Sequence, residues 1–367
     1  MIEKDLGYRR VQRTGRGSYI TSLPKDWVQE IGIDRGSEIA FKVRGDSSLI
    51  LVPRKLMEGR KESEKPKPKE YWIYADQKGD PQSVCRRIIS LYVVSADLIH
   101  IRFKESEINP KFKTAINNLV KNELLGSEII DETTNEVTIQ ILIDHPAFPV
   151  EQAIRRMAAL ALSANRDAIS AVKNMDQSLI QSVIDVHADV SRLNLYAIRQ
   201  LKFGLERNLF RDMGFRTPKE FLGYRIVAND LKSIADNALK IADNIMTLKK
   251  LIEDKMLFLK ESYDEELYSQ IINFNSLAHQ MFDESLKAMF KRDYEHADEI
   301  ISQLRPLISL EKDLITLMPS KKLDPNVSSI FRLILDSSRR ILDYTRNIAE
   351  VTLNRTIEET SSMRNIK

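Results

Sequence analysis

The sequence contains only one cysteine, Cys85, in a chain of 367 residues. A single thiol excludes a disulfide within the chain and any zinc site built from several cysteines. Long apolar runs are also missing, since none approaches the roughly 20 residues that span a bilayer. The first residues, MIEKDLGYRR, do not have the pattern of a secretory signal. We therefore expect a cytoplasmic protein that does not insert into a membrane.

Arrangements typical of catalysis are missing as well. The five histidines are scattered, and no serine or cysteine motif stands beside any of them: they are His100, His145, His187, His279 and His296. Residues 71–146 contain neither a glycine-rich phosphate loop nor a cluster of acids, bases and nucleophiles. The sequence therefore favours a protein that is not an enzyme.

The composition, 43% hydrophobic and 30% charged, is that of a globular protein, and the length predicts two or three domains. The net charge is only +3, but it is unevenly distributed. Residues 1–70 hold 16 Lys and Arg against 11 Asp and Glu, a balance of about +5, which leaves about −2 for the rest. A polyanionic partner is therefore to be sought at the N-terminus.

Residues 1–56 alternate short β patterns with turns. Strands are predicted over 18–23, 38–43 and 49–53, and a short helix over 25–31 ends at Gly32. So few apolar residues cannot build a core within one chain, so we expect a homodimer formed through this domain. Residues 57–70, MEGRKESEKPKPKE, are charged and almost without apolar residues, which predicts a linker.

The stretch RTGRGSYITSLPKDWVQEIGIDRGSEIAFKVRGDSSLILVPR resembles the AbrB/SpoVT looped-hinge family. The resemblance implies that two chains interleave into a swapped-hairpin barrel, with basic residues on one face that hold DNA. Four arginines precede and enter the first strand: Arg9, Arg10, Arg13 and Arg16. They can contact the phosphates of duplex DNA, which adds affinity without sequence selectivity. The alternative is a domain that only dimerises and carries these arginines on a solvated face.

Residues 71–148 predict a small α+β domain in the order β-α-β-α-β-β. Strands are predicted over 71–75, 98–103, 128–130 and 137–143, and helices over 81–96 and 110–122. We interpret this domain as a connector, with the sensing of a small ligand as the alternative. Its stretch LLGSEIIDE resembles a segment of archaeal PhoU-like regulators, which carry the same three parts in the same order.

From residue 149 onwards the pattern is helical. Helices are predicted over 150–173, 177–210, 218–253, 264–292, 294–317 and 325–359. The third of these carries an apolar seam in alternating steps of four and three, formed by Val227, Leu231, Ile234, Ala238, Ile241, Ile245 and Leu248. Such a seam is typical of a helix packed in a bundle.

Part of the third helix returns near the C-terminus. IADNALKIAD at 234–243 corresponds to ILDYTRNIAE at 341–350, at a constant offset of 107, as 341 − 234 and 350 − 243 show. A fixed offset indicates a repeated unit. We therefore predict two three-helix bundles, over 149–258 and 259–367, each with a core of its own.

Two three-helix units that each end in a copy of I-G-D-x-A-x-N-I-A-E resemble the PhoU family over residues 149–359. The sequence Asn347-Ile348-Ala349-Glu350 matches that motif, whereas the first copy ends in the shorter acid Asp243. The resemblance implies a multidomain, mostly α fold. It also implies a regulator that restrains phosphate uptake by acting on the phosphate ABC transporter, through its ATPase, and on the associated sensor kinase.

The resemblance further implies a metal on the faces of the bundles, bound through the spacing E/D-x-x-x-D. Asp185 and Asp189 keep this spacing, and Asp236 and Asp343 keep its final acid. Carboxylates four residues apart share one helix face and can bind a divalent cation, or a metal such as iron or zinc. We expect His187, between the first two acids, to point to another face.

The first glutamate of the family spacing, however, falls on Lys232 and Arg339. Each of these cations lies one helical turn before an acid, Asp236 or Asp343, and can pair with it. A salt-bridged surface is therefore the alternative to a metal cluster.

Two functions follow from these observations. The first is a dimeric negative regulator of phosphate uptake, with DNA occupancy, contact with the transporter ATPase, or both as its output. The second is a protein–protein adaptor without DNA binding, in which the N-terminal domain is only a dimer clamp. Salt-dependent retention on DNA separates the two.

Overall fold

The structure, a computed structural model, describes residues 7–15, 17–43, 49–54, 68–143, 148–253, 264–321 and 323–360. Within the helices, the side chains of residues 174, 248, 251, 252 and 358–360 lie outside this description. The chain divides into two compact units, Met1–Lys67 and Pro68–Lys367, and each is described by itself. In the described ranges, no helix combines the length and the apolar character needed to cross a bilayer.

The described residues of the N-terminal unit form two β-hairpins and a short helix. Its elements are β1 (Gln12–Thr14), β2 (Ser18–Ile20), α1 (Lys25–Ile31), β3 (Ile39–Val43) and β4 (Leu49–Pro53), with β1 antiparallel to β2 and β3 antiparallel to β4. As predicted, α1 ends at Gly32, whose φ of 65° is left-handed and costs glycine little. The sequence did not indicate β1 as a separate strand. Nor does β2 continue to residue 23, because its partner strand is only three residues long.

Little apolar surface is buried within the N-terminal unit. Among its described residues only Pro53 is buried. Tyr19, Phe41 and Val43 are 72%, 64% and 75% exposed. A single copy of this unit therefore has no sizeable core of its own, which is the situation expected of a domain that completes its core with another chain.

The second unit begins with the α+β domain. Its elements are β5 (Glu70–Ala75), α2 (Pro81–Val93), β6 (Leu98–Phe103), α3 (Pro110–Asn122), β7 (Ser127–Glu132) and β8 (Glu136–Ile141). They form one sheet in the order β5-β6-β8-β7, with β5 and β6 parallel and the other pairs antiparallel. The predicted order of elements is confirmed. Helix α2 ends at Val93 rather than at residue 96 because Ser95 adopts a positive φ of 67°.

The six long helices follow. They are α4 (Val150–Asn174), α5 (Gln177–Glu206), α6 (Glu220–Glu253), α7 (Glu265–Lys291), α8 (Tyr294–Leu317) and α9 (Pro325–Thr360), with a 3-10 turn at Met318–Ser320. All six predicted helices are present within a few residues of the expected bounds. The largest difference is at the end of α5, which stops before Asn208 because that residue has a positive φ of 57°.

The apolar seam of α6 is confirmed. Six of its residues are at most 1% exposed: Val227, Leu231, Ile234, Ala238, Ile241 and Ile245. The side chain of Leu248, the last member, lies outside the described part.

The expectation that each bundle has its own core is wrong. Buried residues from all six helices form one continuous cluster. The two bundles come close where α6 meets α9, since a Cβ built on Gly223 would lie 2.5 Å from Cγ1 of Val351. The bundles are also tied by the Tyr268 hydroxyl of α7, which donates to the carbonyl of Ile169 on α4 at 3.1 Å. The helical half is therefore one folded body.

The repeat also has two offsets rather than one. The turns between the first and second helices of each bundle end in aspartates that cap the second helix, Asp176 and Asp293, and 293 − 176 gives 117. The residues before them, Met175 and Arg292, are both left-handed at the end of the first helix. The offset of 107 holds for the third helices. The connection between the second and third helices accounts for the difference, because α5 is longer than α8 and a longer segment follows it.

A buried arginine joins the α+β domain to the first bundle. Arg199 on α5 is 1% exposed, and its Nη1 donates to the carbonyls of Tyr92 and Ala96 at 2.7 and 2.9 Å. Its Nη2 lies 3.8 Å from the Asp97 carboxylate. One long side chain therefore bonds to two carbonyls at and just after the end of α2, one of which, that of Tyr92, also accepts from the Ser95 amide.

A buried polar network crosses the shared core of the bundles. The Asn165 amide on α4 donates to Ser337 Oγ on α9 at 3.1 Å. The Asn275 amide on α7 donates to Asn165 Oδ1 and to Ser338 Oγ, both at 2.9 Å. His279 Nε2 lies 2.9 Å from the same Asn165 oxygen. These bonds fix the relative position of three helices, because a shift of any one would leave buried polar groups unpaired.

His279 must be neutral in this network. The ring is 6% exposed, and since Asn165 Oδ1 can only accept, Nε2 carries the hydrogen. Burial, with a smaller effect from Arg166, lowers the pKa of His279 from 6.5 to about 4. The unfolded chain therefore takes up a proton in a pH range where the folded chain does not.

This difference predicts a loss of stability in mild acid. The contribution of His279 is complete above pH 6.5 and is lost as the pH falls toward 4, since protons then favour the unfolded chain. Between pH 7.5 and 5.0 the free energy of unfolding should fall by about 2 kcal/mol more in the wild type than in His279→Gln. Urea unfolding of both proteins, followed by circular dichroism, measures the difference. Equal pH dependence in both would contradict the assignment.

Candidate functional site

Asp236 on α6 is the centre of a small charged cluster between α5 and α6. Lys232, one turn earlier, donates to both of its carboxylate oxygens at 2.8 Å. His187 Nε2 on α5 lies 2.8 Å from Asp236 Oδ1. The described bonds of His187 are not shared by Asp185 or Asp189, in line with its expected orientation to another face, but the packing of α5 against α6 carries its ring to the Asp236 carboxylate.

The electrostatics of the cluster follow from these contacts. Burial alone would raise the pKa of Asp236, but the hydrogen bonds from Lys232 and His187 outweigh it, so that this pKa is lowered. Asp236 is thus a carboxylate whose negative charge is already balanced within the protein.

The other two acids predicted for the first bundle have separate partners. The amide of Gln181 donates to Asp185 Oδ1 at 2.9 Å. Arg192 Nη1 lies 3.9 Å from Asp189 Oδ1. Among the described contacts, neither acid bonds to Asp236. The structure therefore places Asp185 and Asp189 on α5 and Asp236 on α6, and it does not bring the three carboxylates to one point.

The second bundle repeats the same pairing. Arg339 Nη2 lies 3.1 Å from Asp343 Oδ1, one turn later on α9. Its Nε lies 3.8 Å from Glu311 on α8. Burial raises the pKa of Glu311, and Arg339 opposes that effect. In both bundles a cation occupies the place that the metal-binding interpretation assigns to an acid.

This donor set does not suit a metal ion. Across the described residues, no three side chains of His, Cys, Asp or Glu form a group that could hold one. An ammonium at 2.8 Å from both oxygens of Asp236 would repel a cation at that carboxylate. A metal at Asp185, Asp189, Asp236 and Asp343 stays a prediction, and the geometry favours the salt-bridged alternative.

The arginines proposed to contact DNA lie at the start of the N-terminal unit. Arg9 and Arg10 precede β1, Arg13 lies within it opposite Tyr19, and all three are exposed. Arg9 Nη1 donates to the carbonyl of Tyr8 at 2.9 Å. Arg16 lies outside the described residues. The three described guanidinium groups are thus accessible to a phosphate backbone.

The sequence analysis missed a buried charged group at the start of α6. Glu220 Oε1 accepts hydrogen bonds from the backbone amides of Arg216 and Thr217, at 2.6 and 3.1 Å. Its Oε2 pairs with Arg292 at 2.8 Å and with Arg355, so that the carboxylate ties α6 to α7 and α9. A signal was available, since Thr217-x-x-Glu220 is a capping box.

A second missed group is Asp230, which is 8% exposed on α6. Its Oδ2 accepts a hydrogen bond from the Asn347 amide on α9 at 3.0 Å. Burial raises the pKa of Asp230 to about 6, and the Asn347 hydrogen bond offsets part of that effect. Asn347 belongs to the repeated motif, but its partner on the other bundle could not be read from the sequence.

Two family models match this chain. Residues 12–58 match the model described as antidote-toxin recognition MazE, bacterial antitoxin. Residues 154–245 and 262–352 match the PhoU domain. A comparison with curated proteins found no match.

Solved structures similar to this chain include two bacterial proteins. One is the phosphate transport system regulatory protein PhoU from Streptococcus pneumoniae, at 20% identity and a TM-score of 0.44. The other is PhoU from Pseudomonas aeruginosa, at 15% identity and a TM-score of 0.41. Each comparison covers 58% of this chain and 96% of the other.

The ion-pair geometry leads to a prediction about metal. Protein purified without chelator should contain no stoichiometric metal, because Lys232 neutralises Asp236. Lys232→Glu places a carboxylate one turn before Asp236 and beside His187, and should gain binding of a divalent transition metal. Lys232→Gln is the matched control, since it removes the ammonium without adding a charged ligand. Elemental analysis and metal titration measure both. About one equivalent of metal in the wild type, lost in Asp189→Ala, would support the metal site instead.

Proposed function

This chain carries two PhoU domains behind a MazE/AbrB-like N-terminal domain, and on that premise we propose that it regulates phosphate uptake. The observation that carries the proposal is the paired PhoU match over 154–245 and 262–352, which falls on the two bundles of the helical body. We propose that the regulation is negative. We further propose that the protein acts as a homodimer, without catalysis.

The dimer is supported by the exposed apolar surface of the N-terminal unit. Phe41 and Val43 pair across the β3–β4 hairpin with Leu51 and Leu49, yet they remain 64% and 75% exposed in one copy. Burying a side chain of this size is worth about 1.5–3 kcal/mol. A second copy would supply the surface that covers them, which fits the interleaved barrel implied by the AbrB-like sequence.

DNA contact is the output that we propose for this dimer. Arg9, Arg10 and Arg13 are exposed on the N-terminal unit, and dimerisation doubles their number. The rest of the chain carries a balance of about −2, so the helical half adds no attraction for a duplex. Contact with the ATPase of the phosphate transporter, or with its sensor kinase, is compatible with the same arrangement.

The second candidate is a protein–protein adaptor without DNA binding. It is favoured by the description of the matched MazE family, which names recognition of a toxin, a protein partner. In that case the N-terminal domain would serve as a dimer clamp, and the PhoU domains would carry the regulatory contacts.

Phosphate uptake by cells tests the regulatory role itself. Cells that lack this protein should continue rapid uptake of radiolabelled phosphate in phosphate-rich medium, because a negative regulator is missing. Restoring the wild-type chain should slow uptake again. A chain carrying Arg10→Ala and Arg13→Ala should fail to slow it if DNA is the output, and should still slow it if the adaptor function holds. Unchanged uptake in the deletion would contradict both.

Fluorescence anisotropy with the protein's own upstream DNA tests the interface directly. In a dimer, Arg10→Ala with Arg13→Ala removes up to four phosphate contacts. Binding to all sequences should weaken alike, and the log–log salt slope should flatten by up to about four units. Sedimentation should show both proteins as dimers, since the substitutions spare the apolar strands.

The charge-matched control for that experiment is Lys291→Ala with Arg332→Ala. Both residues are exposed on the helical body, far along the chain from the arginines of β1. They change the net charge equally and should leave the salt slope unchanged. Equal weak binding by the wild type and the β1 variant would favour the adaptor.

A further inference from the structure

A groove between α8 and α9 carries an unusual set of side chains. Its volume is about 670 Å³. Three cations line it, Arg305 and Lys312 from α8 and Arg346 from α9, together with the hydroxyls of Ser302 and Ser309. Two isoleucines complete the lining, and no acid contributes to it. We call it the α8–α9 groove.

No ion pair within the described residues balances the positive charge of this groove, although the charge of Lys312 acts on the nearby Glu311 carboxylate. Within the described residues, the guanidinium groups of Arg305 and Arg346 and the ammonium of Lys312 make no hydrogen bond or ion pair. Two acids close to these cations in sequence are engaged with another arginine, since Asp343 and Glu311 both face Arg339. Arg346 is half-buried, so its charge is only partly solvated by water. Three like charges in one groove therefore favour an anion among them.

The side chains on α8 form one line. Positions 302, 305, 309 and 312 are separated by three, four and three residues, a spacing that places them on one helix face. Hydroxyl groups alternate with cations along this line. Arg305 and Lys312 are two turns apart, or roughly 10.5 Å along the helix axis. An elongated anion matches this arrangement better than a single small ion.

In the first bundle, uncharged residues stand at the positions that correspond to Arg305 and Lys312. At the offset of 117 that relates α5 to α8, Arg305 corresponds to Ala188 and Lys312 to Leu195. Leu195 packs against the core of the α+β domain. The first bundle thus has an exposed alanine and a leucine packed against the α+β domain at the two positions where the second bundle carries cations. The charges are therefore not required by the bundle fold.

The chemistry of the groove selects phosphate groups. A guanidinium can donate two parallel hydrogen bonds to a phosphate, and lysine and serine add single donors. No aromatic side chain lines the groove, so it offers no surface on which a nucleobase could stack. We propose that the α8–α9 groove binds an elongated anion that carries at least two phosphate groups. This inference stands on the groove itself and does not require the proposed function.

Titration of the full-length protein with inorganic phosphate, pyrophosphate and tripolyphosphate tests the proposal. Tripolyphosphate should bind most tightly, because it reaches more of the three cations. Arg305→Gln with Arg346→Gln should weaken its binding at least about tenfold, since each lost charge-assisted hydrogen bond is worth roughly one order of magnitude. Isothermal titration calorimetry at low ionic strength measures the affinities. The variant should retain the wild-type melting temperature, because neither arginine makes a hydrogen bond or ion pair within the described residues that the fold would lose.

The control is again a charge-matched pair, Lys291→Gln with Arg332→Gln, on exposed positions of α7 and α9. It should bind tripolyphosphate as the wild type does. If the control weakens binding as much as the groove variant, the attraction is general and the proposal is overturned. Absence of binding in the wild type overturns it as well, provided the vesicle measurement below is also negative.

Vesicles distinguish the two sources of such phosphate groups, free polyphosphate and lipid headgroups. Flotation with vesicles of anionic and neutral phospholipid should retain the protein only if the groove takes lipid headgroups. One outcome is that the wild type and the control float with the vesicles while the groove variant does not, and that none of them binds tripolyphosphate. That outcome would identify lipid headgroups as the source and support the proposed chemistry. None of these outcomes bears on phosphate uptake or DNA binding. The groove proposal can therefore fail while the proposed function holds.

Discussion

The close packing of α6 against α9 holds the helical half together as one body. A glycine on α6 brings the two backbones near enough for Val351 to occupy the space of a missing side chain. Around this contact the apolar residues of both bundles merge into a single core. Since each bundle contributes its third helix to the contact, the repeated unit is a unit of sequence and topology rather than an independent folding unit.

Burial then determines what the polar groups of this body can do. Asn165, Asn275 and His279 sit where water cannot reach them, so each must find a partner within the core. Glu220 is held by two arginines and two backbone amides, and it connects three helices at one end of the body. The hydrogen bonds of these groups specify how the helices are arranged.

Charges on the surface divide into two kinds. Lys232 and Arg339 pair with acids one helical turn later, so their positive charge exerts little attraction on an anionic partner. Arg305, Lys312 and Arg346 share one groove without an acid in its lining. The exposed Arg9, Arg10 and Arg13 of the N-terminal unit belong to this second kind. A protein with a net charge of only +3 thus concentrates positive charge in two places, on different units of the chain.

Much of the architecture was determined by local sequence. The periodicity of α6, the capping aspartates before α5 and α8, and Gly32 after α1 each act over a few residues, and their elements lie where the pattern predicted. The same holds for the β-α-β-α-β-β order and for the pairing of Lys232 with Asp236, which requires only one helical turn. Contacts between distant segments were decided by the tertiary structure alone. The merged core, the approach of His187 to Asp236, the bond from Asn347 to Asp230 and the groove between α8 and α9 all depend on how helices far apart in the chain are packed. No local pattern encodes those distances, because they result from the fit of many side chains at once.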